Sequence, residues 1–407
     1  MKWYRKVCQA LIWAWVLGWA LWIVSPSQAV LLNRIGSTSS SSLGMAGAGE
    51  VTAFHPGAMN LALNPAGLVT VEEIEAYLGG INLWSDFTYI RHPRAGGGEF
   101  GAYEDMFQFP EIAVAWRIDE HWIVGAELWV PYGLAADLRP VPPDFYHNQA
   151  EIFVIQGSFG AAYQFTEDFS LGASLDLNYI DVEFHLPMMT PLGVMSPTNQ
   201  GDGLDVGFSL GVLWTPDAWR FGIKYSPPVS IDVDGDSYLS ALGLGRQAFE
   251  TEVHVPQRVA AGVAYAFTDR WSVALEGQYT DYGKNNNLVL DYVSALPNKV
   301  LPLNWENVWG LHVGNSIKLT EKLTWEQGIG YLSYAAPDRD LLPAIPDAGG
   351  FSFDTGFKYD WNESVSTYLS FAYAGGDRDI GYNPTRKAPG EMEADLFLIG
   401  LGLQYKF

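Results

Sequence analysis

The sequence contains a single cysteine, Cys8, among 407 residues, and only half as many basic as acidic side chains. Lysine and arginine together number 23, and aspartate and glutamate 46, so the net charge is −23. Nucleic acids require a basic surface, and this balance therefore argues against a nucleic-acid partner. It also disfavours simple docking on an anionic membrane surface. Only 17% of the residues are charged and 48% are hydrophobic, which excludes an intrinsically disordered chain.

Residues 1–29 have the pattern of a secretory signal peptide. Three basic residues lie within the first six, an apolar run continues to Val24, and Ser27–Ala29 offers small residues for cleavage. An uncleaved anchor helix is the alternative, because the apolar run is long. Cleavage would remove Cys8 and three bases, leaving 23 − 3 = 20 bases against 46 acids and a net charge of −26. We therefore expect an exported, cysteine-free protein without disulfides or thiolate chemistry.

Beyond residue 29 the sequence lacks any uninterrupted apolar run of about 18 residues, which excludes membrane-spanning helices. What it has instead is period-two alternation. In residues 206–214, 271–280 and 351–361, aromatic and aliphatic side chains occupy every second position, with polar or small residues between them. This alternation is typical of β-strands with one apolar face. Such strands occur in soluble sandwiches as well as in membrane barrels, where the apolar face contacts lipid.

The connections between the strands distinguish these two architectures. Fourteen strands are predicted, near residues 74–90, 109–118, 121–130, 150–165, 168–186, 203–214, 219–232, 251–267, 271–282, 304–319, 323–335, 351–361, 364–374 and 395–407. The intervening segments alternate between two-to-four-residue turns and long loops. Outer-membrane barrels have short turns at one rim and long loops at the other. The sequence therefore predicts an all-β protein, a transmembrane antiparallel β-barrel of about fourteen strands spanning residues 71–407.

The two ends of the exported chain differ from the strands between them. The last strand has an unbroken apolar face and ends in Phe407, which resembles the signal read by the barrel-assembly machinery. Residues 30–70 are rich in serine, glycine and alanine and lack sustained alternation. This segment is too long for a strand lead-in and too poor in large side chains to fold alone. We expect it to form a plug, or hatch, inside the barrel lumen.

Several motifs, in order along this pattern, resemble the FadL family of outer-membrane transporters for long-chain fatty acids, which includes TodX-type channels for aromatic hydrocarbons. The similarity extends over about residues 31–407. The matching elements are a serine cluster, a Leu-Gly-x-Ala step, Asn-Pro-Ala, Pro-aromatic-Gly-Leu and a Pro-then-Gly strand opening, at Ser39–Ser42, Leu43–Ala46, Asn64–Ala66, Pro131–Leu134 and Pro256 with Gly262. The chain departs from the family at His55-Pro56, where acidic residues are usual in the hatch.

The resemblance implies passive uptake of hydrophobic molecules across the outer membrane of a Gram-negative cell. Ligand would bind in a groove between loops, move to a lumen pocket, and leave sideways when the hatch shifts. Long-chain fatty acids are the first ligand class, and aromatic or alkane hydrocarbons are the alternative. The expected partners are the hydrophobic ligand, the lipid bilayer with its lipopolysaccharide, and the assembly machinery. A monomer is expected, without cofactor or metal.

Four groups of residues are candidates for this pathway. Asn64, Pro65 and Ala66 would anchor the hatch, because Asn64 bonds locally and Pro65 fixes φ. Pro131 and Gly133 would kink the third strand, since proline cannot donate to the ladder. Lys224 and Arg258, expected in the upper half of the lumen, would bind a carboxylate or else pair with acids such as Asp205 or Glu276. Apolar loop residues would form the ligand-capture groove: Met188, Met189, Leu192 and Met195 in the third long loop, and Leu239, Leu242 and Phe249 in the fourth.

The fourth-loop residues are spaced like a short amphipathic helix. The flexible, polarizable methionines of the third loop suit an adaptable apolar surface. The alternative is that the apolar residues of the third and fourth loops only pack these two loops against each other.

Three functions are alternatives to transport: an enzyme, a general porin and an adhesin. A barrel lipase needs serine, histidine and a polar orienting residue within reach of one another, and none of the seven histidines lies in a recognisable motif. The protein is therefore not expected to be an enzyme. A general porin would have an open lumen and a large conductance. An adhesin would bind partners or cations through acidic loops, but the alternating Asp232, Asp234 and Asp236 lack the spacing of a calcium loop.

Overall fold

The computed structural model describes residues 39–101, 105–138, 148–186, 188–190, 193–239, 244–293, 298–343 and 345–407. The predicted signal peptide and the first residues of the predicted hatch lie outside this range. Among the described residues, no helix is long and apolar enough to cross a membrane. The helices are short: 3₁₀ turns at Leu43–Met45, Pro65–Thr70 and Pro93–Ala95, and one α-helical turn at Asn60–Leu63.

Fourteen antiparallel strands form a closed barrel, which confirms the predicted fold class. Their bounds are β1 Ile74–Arg91, β2 Asp105–Arg117, β3 Trp122–Leu138, β4 Asn148–Gln164, β5 Phe169–His185, β6 Thr198–Trp214, β7 Trp219–Ser226 with Val229–Leu239, β8 Leu244–Val255 with Gln257–Thr268, β9 Trp271–Asp281, β10 Val308–Lys318, β11 Leu323–Leu332, β12 Gly350–Asn362, β13 Val365–Asp379 and β14 Gly390–Lys406. Each strand pairs with the next, and β14 pairs with β1 from Glu75↔Lys406 to Arg91↔Gly390, which closes the sheet.

Short strands outside the barrel wall extend two of the long loops. Asn287–Tyr292 pairs with Lys299–Pro302, and Met188–Thr190 pairs with Gly193–Met195. A further short strand, Glu99–Gly101, pairs with the loop end of β1. These additions all lie on the long-loop side, where the chain has the length to form extra hairpins.

Threonines hold several of the tight turns. The Oγ1 atoms of Thr166, Thr268 and Thr320 accept hydrogen bonds from the backbone N–H three residues later, at 3.1, 3.1 and 3.0 Å. A side-chain oxygen of this kind replaces a backbone acceptor and fixes the chain reversal. The Thr-x-x pattern before a strand is therefore the local reason that these connections stay short.

The C-terminus lies at the same rim as the tight turns, since Phe407 N donates to Ile74 O at 3.0 Å.

The alternation places apolar side chains outside. On β9, Trp271 and Leu275 are both 43% exposed, whereas Ala274 and Glu276 are 0% and 2% exposed. Exposed aromatic residues gather near both ends of the strands, at Trp122, Phe165, Trp214, Trp219, Phe267, Trp271, Trp361 and Phe407 on the turn side and Trp84, Trp309, Tyr331, Phe351, Tyr373 and Phe397 on the loop side. From Phe351 to Trp361 is about 33 Å along the strand, or about 25 Å after tilt, the height of a membrane band.

The amphipathic helix predicted in the fourth loop is wrong. Tyr238 and Leu239 end β7, while Leu244 and Phe249 belong to β8, and the two strands pair from Val229↔Val255 to Leu239↔Leu244. The register shifts between Ser237 and Leu239. Cross-strand pairing satisfies the backbone of these two strands, with Tyr238 exposed on the outer face and Phe249 buried inside.

Candidate functional site

Residues 39–73 are largely buried and contact inward-facing side chains of the barrel wall; we call them the N-terminal segment. Its serine run converges on one wall carboxylate. Ser40 N donates to both carboxylate oxygens of Glu111 at 3.0 Å, and the Oγ atoms of Ser40 and Ser39 donate to Glu111 Oε2 at 2.7 and 3.2 Å. A buried carboxylate must be hydrogen-bonded to be tolerated, and the small serines allow the backbone itself to reach it.

Asn64 links the N-terminal segment to a second part of the wall, four strands away at β6. Its Nδ2 donates to Val51 O at 2.6 Å and to Val212 O of β6 at 3.0 Å. Its Oδ1 accepts from Ala66 N at 3.1 Å and so caps the Pro65–Thr70 helical turn. Ala66 O in turn accepts from Ser170 Oγ at 3.1 Å. The Asn-Pro-Ala motif thus sits in a rigid, wall-bonded turn; its role in gating stays a prediction.

Inward-facing glycines let the segment's backbone approach the sheet. A Cβ added to Gly222 would lie 1.8 Å from Val51 O, and one added to Gly211 would lie 2.0 Å from Asn64 Oδ1. Any side chain at these positions would overlap the segment. The same close approach recurs where Gly172 faces the Pro65–Ala66 peptide and Gly328 faces Met45.

His55, where the family usually has acid, faces an acid of the wall. Its Nε2 lies 2.8 Å from Glu326 Oε1 on β11, with side chains 7% and 4% exposed. The next residue's carbonyl, Pro56 O, accepts from Gln404 Nε2 at 2.9 Å. In this chain the middle of the segment therefore reaches the wall through a histidine–glutamate contact.

Lys224 is hydrogen-bonded to the N-terminal segment, and Arg258 is hydrogen-bonded to the wall strand β9. Lys224 Nζ donates to Ala62 O, and Arg258 Nη2 donates to Gln278 Oε1 at 2.5 Å. Both line a chamber of about 270 Å³ together with Glu50 and Glu276, two cations facing two acids. Pairing with lumen acids was one of the two predicted roles and stays a prediction: Glu276 borders the same chamber, and its Oε2 accepts from Val51 N at 3.1 Å.

Two details of the prediction for these bases are wrong. Lys224 is only five residues beyond Trp219, where β7 leaves its tight turn, so it lies in the lower half of the lumen. Asp205 is exposed and its Oδ1 accepts from Val206 N at 2.6 Å, so it lies outside this chamber. Strand polarity explains the first error, because β7 rises from the turn rim.

The wall is interrupted between β2 and β3. Their ladder runs only from Ile112↔Leu128 to Arg117↔Ile123, and within the described residues no pairing joins these strands above it. One extra residue lies between Trp129 and Tyr132 of β3, where the register against β4 shifts. Pro131 sits in this bulge, and proline has no N–H to donate to a ladder. The upper part of β3 is thus paired with β4 alone.

The loop half of the lumen is apolar. A single contiguous cluster of buried side chains contains Phe107, Phe109 and Val130 beside the gap, and also Tyr282, Trp305 and Leu332. The last three border an apolar chamber of about 360 Å³, which Val308, Ser333, Ala335, Ile345, Pro346, Asp347 and Gly349 complete. The chamber and the gap are therefore joined by apolar surface, which is what a hydrophobic ligand requires.

The loop of residues 335–349 covers this chamber and is held by hydrogen bonds to Asp347 and Arg378. Asp347 Oδ2 accepts from Ala335 N and Ala336 N at 2.5 and 2.6 Å, closing the loop on itself. Arg378 of β13 donates to Asp347 O at 2.9 Å and to Asp338 Oδ1 at 2.8 Å. Burial raises the pKa of Asp347 above its usual range, although the backbone donors and Arg378 act in the opposite direction.

The structure bears only partly on the predicted ligand-capture groove. Leu192 and Leu242 lie outside the described residues, as do the side chains of Met188, Met189, Met195 and Leu239. The backbones of residues 188–190 and 193–195 form a hairpin. Phe249 is 1% exposed and packs inside the apolar cluster, with its ring 6.4 Å from Tyr292. Phe249 therefore lines the interior of the barrel.

The sequence did not predict a row of polar residues on the inner face of the wall. His312 on β10 and Ser352 on β12 flank Gly330 of β11 in the register, with Asp354 two residues beyond Ser352. All three are buried and face the lumen. The sequence signal for them is the alternation of side chains along each strand, which places all three on a polar face. Only the pairing of β10, β11 and β12 brings them together.

This architecture defines a class: a membrane β-barrel with an apolar outer band, a largely apolar upper lumen and a buried N-terminal segment packed against its inner wall. The sequence model of the family described as outer membrane protein transport protein (OMPP1/FadL/TodX) matches residues 25–407. The chain belongs to this family, which confirms the predicted resemblance. It is a multi-pass protein of the Gram-negative outer membrane, in a family of transporters of hydrophobic compounds.

Relatives align over nearly the whole chain. A long-chain fatty acid transport protein of Escherichia coli O6:H1 is 21% identical, covering 92% of this chain and 94% of its own. A 47 kDa outer membrane protein of Pasteurella multocida is 24% identical, covering 96% and 98%. Among solved structures, a Pseudomonas aeruginosa FadL homologue has a TM-score of 0.76 at 17% identity, covering 94% and 100%. The P. putida toluene transporter TodX has a TM-score of 0.71 at 16% identity, covering 92% and 99%.

Proposed function

We propose that the protein is a passive channel that takes hydrophobic molecules from the loop side into the lumen and releases them sideways between β2 and β3. The observation that carries this proposal is the shortened β2–β3 ladder, which opens beside the apolar cluster that also lines the chamber. A molecule in that cluster can reach the gap without crossing a polar surface.

The N-terminal segment acts as the hatch in this proposal. It fills the lower lumen and is bonded to the wall at Glu111, Glu326 and Val212. A lumen closed in this way gives little passage to ions and hydrophilic solutes, which separates the proposed channel from a general porin. Asn64, Pro65 and Ala66 hold the segment where it meets β5 and β6. Pro131 and Gly133 keep the upper part of β3 apart from β2.

Neutral hydrophobic compounds are the ligand class that the geometry favours. The border of the apolar chamber has no lysine or arginine among the described residues, but it includes Asp347. A carboxylate ligand there would face a like charge without a partner. Proteins similar to this chain are named for both ligand classes: one relative is a fatty acid transport protein, and one structural match is a toluene transporter.

Long-chain fatty acids are the second candidate. The observation in their favour is that Lys224 and Arg258 line one chamber in the lower lumen. Each is already bonded, and the acids Glu50 and Glu276 line the same chamber. A fatty acid would have to displace one of these contacts to bind.

The proposal is tested by uptake. A strain lacking the protein is supplied with the wild-type gene or with an empty vector, and its uptake of radiolabelled alkanes, monoaromatics, fatty acids and a hydrophilic sugar is measured. We expect the gene to increase uptake of the hydrophobic compounds, most for the neutral ones, and to leave sugar uptake unchanged. Increased sugar uptake would support a porin, and no increase for any hydrophobic compound would overturn the proposal.

A further inference from the structure

The polar row in the upper lumen has buried groups that the proposed pathway does not use. His312, Ser352 and Asp354 are 3%, 0% and 6% exposed. Within the described part of the chain, His312 Nδ1, Ser352 Oγ and both carboxylate oxygens of Asp354 have no hydrogen-bond partner. Buried polar groups are nearly always paired, so several unpaired atoms together indicate a place where something else binds.

The register brings His312 and Ser352 to the two sides of Gly330. Gly330 pairs with His312 on one side and with Ser352 on the other. A Cβ added to Gly330 would lie 2.7 Å from Ser352 Oγ and 3.0 Å from His312 Nδ1, so these two atoms are at most 2.7 + 3.0 = 5.7 Å apart. Both polar atoms therefore lie against the face of Gly330, and a side chain at residue 330 would press on Ser352 Oγ.

The row lies directly below the apolar chamber. Leu332 and Val308, which border the chamber, are on the same faces as Gly330 and His312, two and four residues further toward the loops. Two residues along a strand span about 7 Å. A molecule whose body fills the chamber can therefore place one end among His312, Ser352 and Asp354.

The chemistry of the row selects that end. The Asp354 carboxyl has an acceptor oxygen in either protonation state, so a bound group that donates can pair with it. Ser352 Oγ and the His312 ring nitrogen can donate or accept, so a group that both donates and accepts satisfies the whole row. A hydroxyl does both, whereas an ammonium only donates and an ionised carboxylate only accepts.

We propose that His312, Ser352 and Asp354 form a binding site for the hydroxyl group of a hydrophobic alcohol or phenol, whose apolar body occupies the chamber of Tyr282, Trp305 and Leu332. This inference rests on the proposed function, because the row is reached through the apolar lumen. It makes the protein selective for hydroxylated compounds over the corresponding hydrocarbons.

The surroundings of His312 fit binding better than catalysis. The charged groups that face its ring are Glu50 of the N-terminal segment and Arg258 of β8, and the backbone of Ala46 approaches it. Asp354 lies two residues from Ser352 on the same face of β12. A hydrolase would need the acid to orient the histidine, whereas here the acid is placed to receive a ligand's proton donor.

The test compares four probes of equal chain length: dodecane, 1-dodecanol, dodecylamine and dodecanoate. Binding is measured with purified full-length protein in lipid nanodiscs, with binding to empty nanodiscs subtracted. The variants are Ser352→Ala and Asp354→Asn. Their matched controls are Ser366→Ala and Asp360→Asn, a buried serine and an acid hydrogen-bonded to each other near the turn rim of β13 and β12. Heat-modifiable gel mobility reports that each barrel has assembled.

We expect wild type to bind dodecanol more tightly than the other three probes. Ser352→Ala should weaken dodecanol binding by up to about tenfold, as the loss of a neutral hydrogen bond implies. Asp354→Asn should weaken it less, because the amide keeps one acceptor oxygen. Both variants should leave dodecane binding unchanged. Both controls should bind as wild type does. Equal affinity for dodecanol and dodecane in wild type, or tighter binding of the amine or the acid, would overturn this inference while leaving hydrophobic transport in place. No binding of any probe would overturn the proposed function as well.

Discussion

Gly211 and Asn64 are in contact across the boundary between wall and segment, so closely that a methyl group on residue 211 would lie 2.0 Å from Asn64 Oδ1. The absence of a side chain on β6 is what allows the Asn64 amide to reach the Val212 carbonyl at 3.0 Å. The position of the N-terminal segment therefore depends as much on missing side chains in the wall as on its own sequence.

A methyl group at the closest contact should displace the segment. In Gly222→Ala the new Cβ would lie 1.8 Å from Val51 O, a backbone atom that cannot turn aside. Such overpacking costs typically about 1–3 kcal/mol. We expect a raised ion conductance in planar bilayers, with normal heat-modifiable mobility.

Gly277→Ala is the matched control for this change, because its nearest neighbouring atom would be 4.0 Å from the new Cβ. Its conductance should equal that of wild type. If Gly222→Ala also conducts like wild type, the segment is not what closes the lumen.

Loss of the Asn-Pro turn should slow uptake without preventing assembly. Asn64→Ala with Pro65→Ala removes two bonds from Nδ2 and the cap on Ala66 N. A helix cap contributes about 1 kcal/mol, and each neutral hydrogen bond about 0.5–1.5 kcal/mol. Uptake of a radiolabelled hydrophobic compound should fall while the barrel remains heat-modifiable. Unchanged uptake in this double variant would count against a gating role.

Removal of the bulge in β3 should close the gap in the wall. Deletion of Pro131 eliminates the extra residue between Trp129 and Tyr132, so that one register against β4 continues along the strand. The upper part of β3 could then pair with β2. We expect uptake to decrease strongly while binding of the same ligand to purified protein persists. Normal uptake by an assembled deletion variant would show that exit does not use this gap.

Substitution of Lys224 and Arg258 tests whether the ligand carries a carboxylate. In Lys224→Met with Arg258→Met, the proposal predicts that the affinity ratio between a fatty acid and its matched alkane stays within about twofold of wild type. The reason is that Lys224 already bonds to the N-terminal segment and Arg258 to Gln278 of β9. The measurement is equilibrium binding of both compounds to both proteins. Selective loss of the acid, by the tenfold or more that a charge-assisted bond provides, would instead establish the carboxylate role.

The loop over the apolar chamber should loosen as pH rises. Burial raises the pKa of Asp347 in the folded protein above its unfolded value. Its contribution to stability is therefore fully present below the unfolded pKa and is lost as pH rises through the folded pKa. Hydrogen exchange of residues 335–349 should accelerate over that range in wild type. Asp347→Asn retains an acceptor for Ala335 N and Ala336 N, and its exchange protection should not show this pH dependence.

The sequence predicted all fourteen barrel strands because alternation and turn length are local properties. The errors arose where long-range pairing decides the outcome. Phe249 lies in a strand and not a helix, since β7 and β8 continue as a hairpin beyond the membrane band. The contact of Ser40 with Glu111 joins residues 71 positions apart, and no local pattern identifies that partner. His312 and Ser352 meet only because both pair with Gly330.

The short β2–β3 ladder also bears on the source of energy for transport. A molecule that leaves through a side gap enters hydrocarbon directly and never regains a hydration shell. Each methylene that stays out of water is favoured by about 0.8 kcal/mol, so the bilayer itself acts as the sink for the ligand. On the proposed route, the direction of net movement is set by partitioning between two apolar phases, and the barrel needs neither a gradient of ions nor a bound nucleotide to make delivery favourable.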